Sequence, residues 1–404
     1  MRPTNEQIEA VFQHRGSIRA TAAELQVADS TLRGWAKTDH ELYEILYETP
    51  NLKTAAKEQE IRDLKRVNKQ LSEREGRRQE WIQEVVEAAQ RPVSLPEIVV
   101  KPRSSRLPSR SIVLPIFDIQ YGQHVQKVDV PFGMGGFSEE VFDQRARMYL
   151  TKVTEYMEDR SSSVNFEELH LILGGDMVEG HGIYRGMEWQ LGLHPIKQVL
   201  NLRAKMSYLL GQIITKAREL GVKKVALYVV PGNHGKVGGK MAGAIPADYS
   251  WDYLLGELVI NDLAGAIDLA VNEAAGAILF KTMGHTFLTI HGDEIKGVSG
   301  IPAYGMAKAD GRLIRMSEII HDYLIMGHHH QPTSIPNGGG GESIIVGDWV
   351  GPNNLSRQIQ AGSRPQQSLL LVARKHGLVT TEKIYLDGED RSNRRRAHVY
   401  NVAA

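Results

Sequence analysis

The chain has no cysteine in its 404 residues. Disulfides and thiolate metal sites are thereby excluded, and the composition fits a reducing compartment. It also lacks any run of about 18 apolar residues, so neither a membrane span nor a membrane partner is expected. The N-terminus, MRPTNEQIEAVFQHRG, has no apolar core of the secretory kind. Net charge is missing as well: 48 Lys plus Arg balance 48 Asp plus Glu. Attraction to nucleic acid must then come from local patches. These absences point to the cytoplasm. What is present is a core-forming composition, 42% apolar, in a chain long enough for one large domain and one or two small ones.

Four textures divide the chain. Residues 1–40 carry short apolar sets at helical spacing: Ile8, Val11 and Phe12; Ile18, Ala22 and Leu25; Leu32 and Trp35. Thr4 and Ser17 are expected to cap the first two helices, and Asp29 or Ser30 the third. Three short helices with tight turns predict a small all-α helix-turn-helix domain. Residues 41–90 are charged and helical in pattern. A heptad seam runs from Ile61 through Leu64, Asn68, Leu71, Glu75, Arg78, Ile82 and Val85 to Ala89. The stretch 51–90 can therefore be a coiled coil that pairs two copies of the chain, or a single solvated helix. Residues 91–110, with four prolines and several basic side chains, read as a linker.

From 111 to 386 strands and helices alternate. Ser111–Phe117, Leu169–Leu173, Lys224–Val230 and Tyr323–Met326 read as buried strands, and Glu139–Glu158 and Pro195–Leu220 as amphipathic helices. Ala277–Lys281, Thr286–Ile290, Ser343–Val346 and Ser368–Ala373 read as further short strands. The class is α/β, with sheets covered by helices. The run NGGGGES at 337–343 predicts a hairpin turn, since no helix and no Lys-Ser pair follows it. Residues 387–404 read as a basic, disordered tail.

Polar ligand types stand at the ends of these strands. Asp118 and Gln120 follow LPIF, Asp176 follows LILGG, and Asn233 and His234 follow YVVPG. His291 follows FLTI, and His328, His329 and His330 follow YLIMG. Loops at the carboxyl ends of strands in α/β sheets converge on one crevice. Oxygen and imidazole donors of this kind suit Mn(II), Fe(II) or Zn(II). Two carboxylates against two dications leave a net positive centre, which attracts phosphate and lowers the pKa of a shared water. Glycines just before Asp176, Asn233 and His328 allow sharp turns off the strands.

In order, DIQ at 118–120, GGD at 174–176, PGNHG at 231–235, IHGD at 290–293 and GHHH at 327–330 resemble the calcineurin-like metallophosphoesterase family. Its pattern is Asp-x-His, Gly-Asp, Gly-Asn-His-Asp/Glu, a lone His, then Gly-His-x-His. The resemblance spans roughly residues 111–386 and implies a four-layer α/β/β/α sandwich with two divalent ions, Mn2+ first, with Fe2+ or Zn2+ as alternatives. It implies that Asp118 and His330 bind the first ion, that Asp176 bridges, and that Asn233, His291 and His328 bind the second. His234 then contacts the phosphate and protonates the leaving oxygen. The sequence departs from the pattern twice. Gln120 stands where the family has His, and as a poorer donor it either ligates or leaves His124 or water to complete the shell. Gly235 stands where the family has an acid. His329 reads as structural, and His124, His170, His181, His194 and His285 read as ordinary histidines. The strings GNHG, HGDEIKG and GDWVGPNN, with EGHGIYRGMEWQ at 179–190, look like phage and prophage phosphoesterases and the DNA-repair-nuclease branch. That likeness implies a bacterial or phage-infected host cell.

The string TAAELQVADSTLRGW at 21–35 looks like a helix-turn-helix of the regulator and transposase kind. Its second helix would offer Ser30, Thr31, Arg33 and Lys37 to a DNA groove. Gln26 sits where the turn often has Gly, which costs about 1 kcal/mol if its φ is positive. The expected function is therefore a nuclease that cleaves DNA phosphodiesters by attack of a metal-bridging hydroxide. The alternatives are a phosphatase or small-nucleotide phosphodiesterase, and a DNA-binding regulatory protein with a degraded site. Only a short tail follows residue 386, so partnership with the ABC-type ATPase of the repair nucleases is not supported.

Overall fold

The computed structural model describes residues 2–48, 59–70 with scattered positions to 87, 106–126, 136–239, 246, 248–273, 275–297, 301–318, 320–353, 356 and 362–388. Residues 91–105 of the expected linker, the seam from Leu71 onward at its named positions, and the tail from 389 lie outside the described residues. The chain divides into two compact units, Met1–Glu84 and Val85–Ala404.

In the first unit, α1 (Asn5–Arg15), α2 (Ile18–Glu24) and α3 (Asp29–Ala36) are followed by a short α4 (His40–Tyr43) that runs into a π-turn over Glu44–Glu48. Thr4 and Ser17 cap α1 and α2 as their sequence positions imply, Thr4 within a full capping box. At α3 the expectation fails. Ala28 occupies the cap without a side-chain bond, and Asp29 is already the first helical residue. Ile8, Phe12, Ile18, Ala22 and Leu32 form the core, and Leu42, Ile45 and Leu46 join it, so packing continues past residue 40. Described residues 59–70 form α5, on which Ile61, Leu64 and Val67 are exposed.

The turn between α2 and α3 shows a local strain. The Val27 N–H bonds Ala22 O at 2.9 Å, which places Gln26 in the left-handed region at φ 54°. A Cβ there costs about 1 kcal/mol. Gln26→Gly is expected to stabilise the first unit by about that amount, read by hydrogen exchange of the amides of α1–α3; unchanged protection would show that the turn carries no strain.

The second unit is built on two sheets. The first has the order β11-β10-β1-β2-β3-β4 and the second β5-β6-β7-β9-β8. Their strands are β1 (Ser109–Ile116), β2 (Asn165–Leu173), β3 (Lys224–Val229), β4 (Leu269–Asn272), β5 (Ala277–Thr282), β6 (His285–Ile290), β7 (Tyr323–Met326), β8 (Thr333–Pro336), β9 (Glu342–Ile345), β10 (Gln366–Ala373) and β11 (Gly377–Tyr385). Strands β1 to β4 run parallel, as do β6, β7 and β9. The hairpin turn expected at 337–343 joins β8 to β9. Asn337 pins it, accepting the Gly339 and Gly341 N–H groups at 3.0 Å each.

The apolar runs of β1, β2, β3 and β10 are continuous because both faces are buried. Ile112, Leu114 and Ile116 of β1, with Leu169, Leu171 and Leu173 of β2, face α6 (Glu139–Arg160), α7 (Pro195–Glu219) and α8 (Trp251–Leu263). Their alternate neighbours Val113 and Ile172 meet Phe280, Phe287 and Ile325 of the other sheet. On the far side, Leu288, Leu324 and Ile345 pack with Met306 of α9 (Pro302–Ser317). The result is the expected four-layer α/β/β/α sandwich. Among the described residues no helix is long and apolar enough to cross a membrane.

Candidate metal centre

Five parallel strands from the two sheets, β1, β2, β3, β6 and β7, are followed by turns that carry the sequence-predicted ligands. These turns are strained in a selective way. Among described non-glycine residues, positive φ occurs at Asp118 (54°), Gln120 (48°), Asp176 (50°), His328 (65°) and His330 (54°), and otherwise only at Gln26, Met283 and Glu318. Such conformations persist only where the surroundings enforce them, and they gather at functional sites. The turns interlock through backbone bonds. Asp118 and Gln120 N–H bond the Gly175 and Asp176 carbonyls, and Trp349 N–H bonds Asp118 O. Close approach requires glycine at several of these positions, Gly232 and Gly327 among them. A Cβ on Gly232 would lie 2.2 Å from Asp176 Oδ1, and one on Gly327 would lie 2.3 Å from Asp118 Oδ2.

The side chains form two adjoining groups. In one, the ligand atoms of Asp176, His291 and His328 lie within 4.8 Å of one another. His291 Nε2 is 3.1 Å from Asp176 Oδ2 yet makes no hydrogen bond, and its Nδ1 faces Gly174 O at 3.0 Å. Asp176 Oδ1 accepts the His234 N–H at 2.7 Å, which sets the turn of Asn233 beside it. In the other group, His330 Nε2 lies 3.4 Å from Asp118 Oδ1 and 3.5 Å from Gln120 Nε2. The His328 N–H, bonded to Asp118 Oδ2 at 2.9 Å, joins the groups. Asp118 Oδ1, Gln120 Oε1, Asn233 Oδ1 and His291 Nε2 are buried without a hydrogen-bond partner. Gln120 Oε1 and Asn233 Oδ1 each cost about 1–3 kcal/mol as orphans, whereas His291 Nε2 and Asp118 Oδ1 have ion-pair neighbours in Asp176 and His330. A set of anionic, amide and imidazole atoms left bare in this way fits divalent cations. His124, the alternative to Gln120, is exposed and does not line the cleft.

The electrostatics follow from burial and charge. Burial opposes a charge on His291, but Asp176 outweighs it and raises the pKa to about 10. His330 is likewise opposed by burial and raised to about 9 by Asp118 and Asp348. His328 goes the other way, lowered to about 4 by burial and by His291. Asp176 is pushed up by burial, but His291 and His234 hold it below the usual carboxylate range.

His234 stands beside the ligands. Its Nδ1 is 3.0 Å from Glu179 O and 3.2 Å from Glu179 Oε2, which leaves Nε2 on the side of Asp176, 3.9 Å from Oδ2. Burial works against its charge, yet Asp176 and Glu179 raise its pKa to about 10. Gln120, Asp176, His328, His330 and His234 line a cleft of about 440 Å³ whose wall also includes Gln123, Tyr184, Gln331, Asn353 and Ser356. A second hollow of about 370 Å³ reaches His291 from another side, past Lys236 and Asp293 paired at 3.1 Å.

Three acidic residues complete the centre that the motif reading did not single out. Glu179 orients His234 and accepts from Gln123 and Tyr184 at 3.3 and 3.1 Å. Asp348, after β9, lies 3.9 Å from His330 Nδ1, and burial raises its pKa. Asp252 on α8 is wholly buried under the Asp176 turn, its pKa raised to about 6 by burial and by Asp176. GDWV and EGHG were visible as strings, but nothing local marked Asp348 and Glu179 within them. His329 is half-buried and lines the cleft beside His328 and His330, and His170 lies between the sheets, 3.1 Å from the Tyr228 hydroxyl. Ser30, Thr31, Arg33 and Lys37 are all exposed on or just after α3, with Arg33 paired to Asp29 at 3.2 Å.

No family model matches the chain, and no curated protein is similar to it. Among solved structures it is similar to wild-type Vps29 complexed with Zn2+ from Entamoeba histolytica, at 12% identity and TM-score 0.27, over 68% of this chain and 99% of that one. An archaeal phosphodiesterase aligns at 11% identity and TM-score 0.30, over 69% and 99% of the two chains. A hypothetical protein from Pyrococcus horikoshii OT3 aligns at 11% and 0.33, over 70% and 90%. TM-scores of this size establish nothing about activity, so the chemistry rests on the residues themselves.

Proposed function

We propose that this chain is a metal-dependent phosphoester hydrolase that holds two divalent ions and cleaves phosphodiester bonds in DNA. The observation that carries this reading is the set of buried, unpartnered ligand atoms in the turns that follow parallel strands, several of which carry residues in the left-handed region. Asp118, Gln120 and His330 would hold one ion, Asn233, His291 and His328 the other, with Asp176 between them. The mixed oxygen and nitrogen donors suit Mn2+, with Fe2+ or Zn2+ as alternatives. When bound, the ions supply a nucleophile from water at neutral pH and polarise the phosphoryl oxygens. His234, tied by Nδ1 to Glu179, contacts the phosphate through Nε2 and gives its proton to the departing oxygen.

DNA is favoured over a small phosphate ester for two reasons. Two hollows reach the candidate ligands, one lined by Asp176, His328 and His330 and the other by His291, and they give a polymer room to continue beyond the reacting phosphate. The exposure of Ser30, Thr31, Arg33 and Lys37 on or just after α3 supports reading the α2–turn–α3 segment as a helix-turn-helix. Exposed Ile61 and Leu64 on α5 support pairing of two copies through the 51–90 stretch. The second reading, a small-nucleotide phosphodiesterase, is supported by the cleft itself, whose volume of about 440 Å³ suits one nucleotide.

The test is calorimetric titration with Mn(II), together with hydrolysis of an open-chain diester and of single-stranded and duplex DNA. Two equivalents and Mn(II)-dependent cleavage are expected. Because His291 and His330 carry protons at neutral pH without metal, with pKa values of about 10 and 9, binding must release protons. The heat should vary with the ionisation enthalpy of the buffer, and affinity should fall as pH falls. Without metal, the same two groups stabilise the fold fully below their ordinary value of 6.5, and that contribution is lost as pH rises through about 9 to 10. Absence of any Mn(II) binding would overturn the reading. Hydrolysis of the open-chain diester but of no DNA would select the second reading.

A further inference from the structure

The turn that bears Asp176 is held by a carboxylate delivered from a helix. Asp252, the second residue of α8, accepts four backbone N–H groups. Its Oδ2 takes those of Asp176 and Gly232 at 2.9 Å each, and its Oδ1 takes those of Met177 and Val178 at 3.1 and 3.3 Å. These donors belong to two different turns: the one after β2 that carries Asp176, and the one after β3 that carries Asn233 and His234. None of the four belongs to α8, so this carboxylate is not a helix cap. That role falls to Ser250, whose Oγ accepts the Asp252 N–H at 3.2 Å. The start of α8 is stitched to the β3 turn a second time, since Trp251 N–H bonds Gly235 O at 2.8 Å.

Gly235 explains why the carboxylate comes from a helix. A Cβ at 235 would lie 2.6 Å from Ser250 Oγ and 2.8 Å from both the carboxyl carbon and Oδ2 of Asp252. The Asp252 carboxylate therefore occupies the space into which a side chain at 235 would project. The motif pattern places an acid at that position, and this chain has Gly. The backbone at Gly235 is outside the left-handed region, so it admits a side chain once the Asp252 carboxylate is removed and the Ser250 hydroxyl rotates aside.

We propose that Asp252 is the positioning residue of the metal centre, supplying from α8 the carboxylate that the chain lacks at 235. It fixes Asp176 relative to Asn233 and His234 by binding the backbone of both turns. The inference rests on the metal-centre reading above. The test compares Asp252→Asn, Asp252→Ala and the double variant Asp252→Ala with Gly235→Asp, in the full chain. Read out are Mn(II) affinity and stoichiometry, the electron-spin coupling of bound Mn(II), turnover on an open-chain diester, and thermal stability without metal. The Asn variant keeps shape but turns an amide N–H toward backbone N–H donors. It should fold and bind Mn(II) at least about 10-fold more weakly, with turnover about 10–100-fold lower, the range usual for groups that orient ligands. The double variant should recover affinity and spin coupling relative to Asp252→Ala, because the new carboxylate reaches the same backbone groups. Wild-type affinity, coupling and turnover in Asp252→Asn would overturn the inference alone. Equal loss of metal-free stability in both single variants, with no recovery in the double, would assign a purely structural role and also overturn it. A wild-type chain that binds no Mn(II) overturns the metal reading and this inference with it.

Discussion

His234→Ala is expected to lower turnover on DNA by roughly 10²–10⁴-fold, the range for loss of a positioned general acid. Metal content should stay near that of the unmodified chain. The geometry supports this split. His234 Nδ1 is engaged by Glu179 at 3.0 and 3.2 Å, so the ring is fixed, and Nε2 is the nitrogen left for the phosphate. With its pKa raised to about 10 by Asp176 and Glu179 against the cost of burial, the imidazole carries a proton to give at neutral pH. Bound dications would bring that value down toward the working range. The loss should be smaller for a nitrophenyl diester, whose leaving group needs little protonation. Steady-state kinetics on both substrates, with metal analysis of the same preparations, tests this. An emptied metal site, or equal losses on the two substrates, would assign His234 another role.

Asp176→Ala should have the larger effect, with bound Mn(II) falling below one equivalent and turnover falling to background. Asp176 is the one carboxylate placed against both the His291–His328 pair and the turn of Asn233 and His234. Removing it deletes a donor, and it also releases the His234 N–H that Oδ1 accepts at 2.7 Å. In the metal-free protein the change has an electrostatic signature. Asp176 is the largest favourable charge acting on both His291 and His234, so the values near 10 should fall toward or below the ordinary range. Metal analysis after gel filtration, with histidine titration by NMR, checks both parts. Retention of two equivalents would remove Asp176 from the bridging position.

Much of the scaffold was legible because it depends on local rules. Runs such as LILG and YVVP read as buried strands because apolar side chains on both faces need two covering layers, which the helices α6 to α8 and the second sheet provide. Thr4 and Ser17 read correctly as caps because a cap bonds its own helix. Asp29 and Ser30 misled because Val27 closes the preceding helix onto Ala22 O, which shifts the start of α3 to leave Ala28 at the cap. The short β4 and β8 and the longer β11 carry weaker signals: β11 alternates exposed and half-buried residues, and β4 is partly exposed at a sheet edge.

The ligands were legible for a different reason. Asp, Asn and His types recur in one order after successive strands, and parallel strands bring their carboxyl ends together wherever they lie in the chain. By itself the sequence determined the α/β class, the strands that matter and the identity of the candidate ligands. Only the tertiary structure decided which carboxylates serve those ligands. Glu179 matters because its side chain ends 3.2 Å from His234, Asp348 because it lies behind His330, and Asp252 because α8 docks its first turn under two loops. Each of these relations joins residues from separate elements, and hydrogen-bond geometry at about 3 Å is set by how the elements pack rather than by any spacing along the chain.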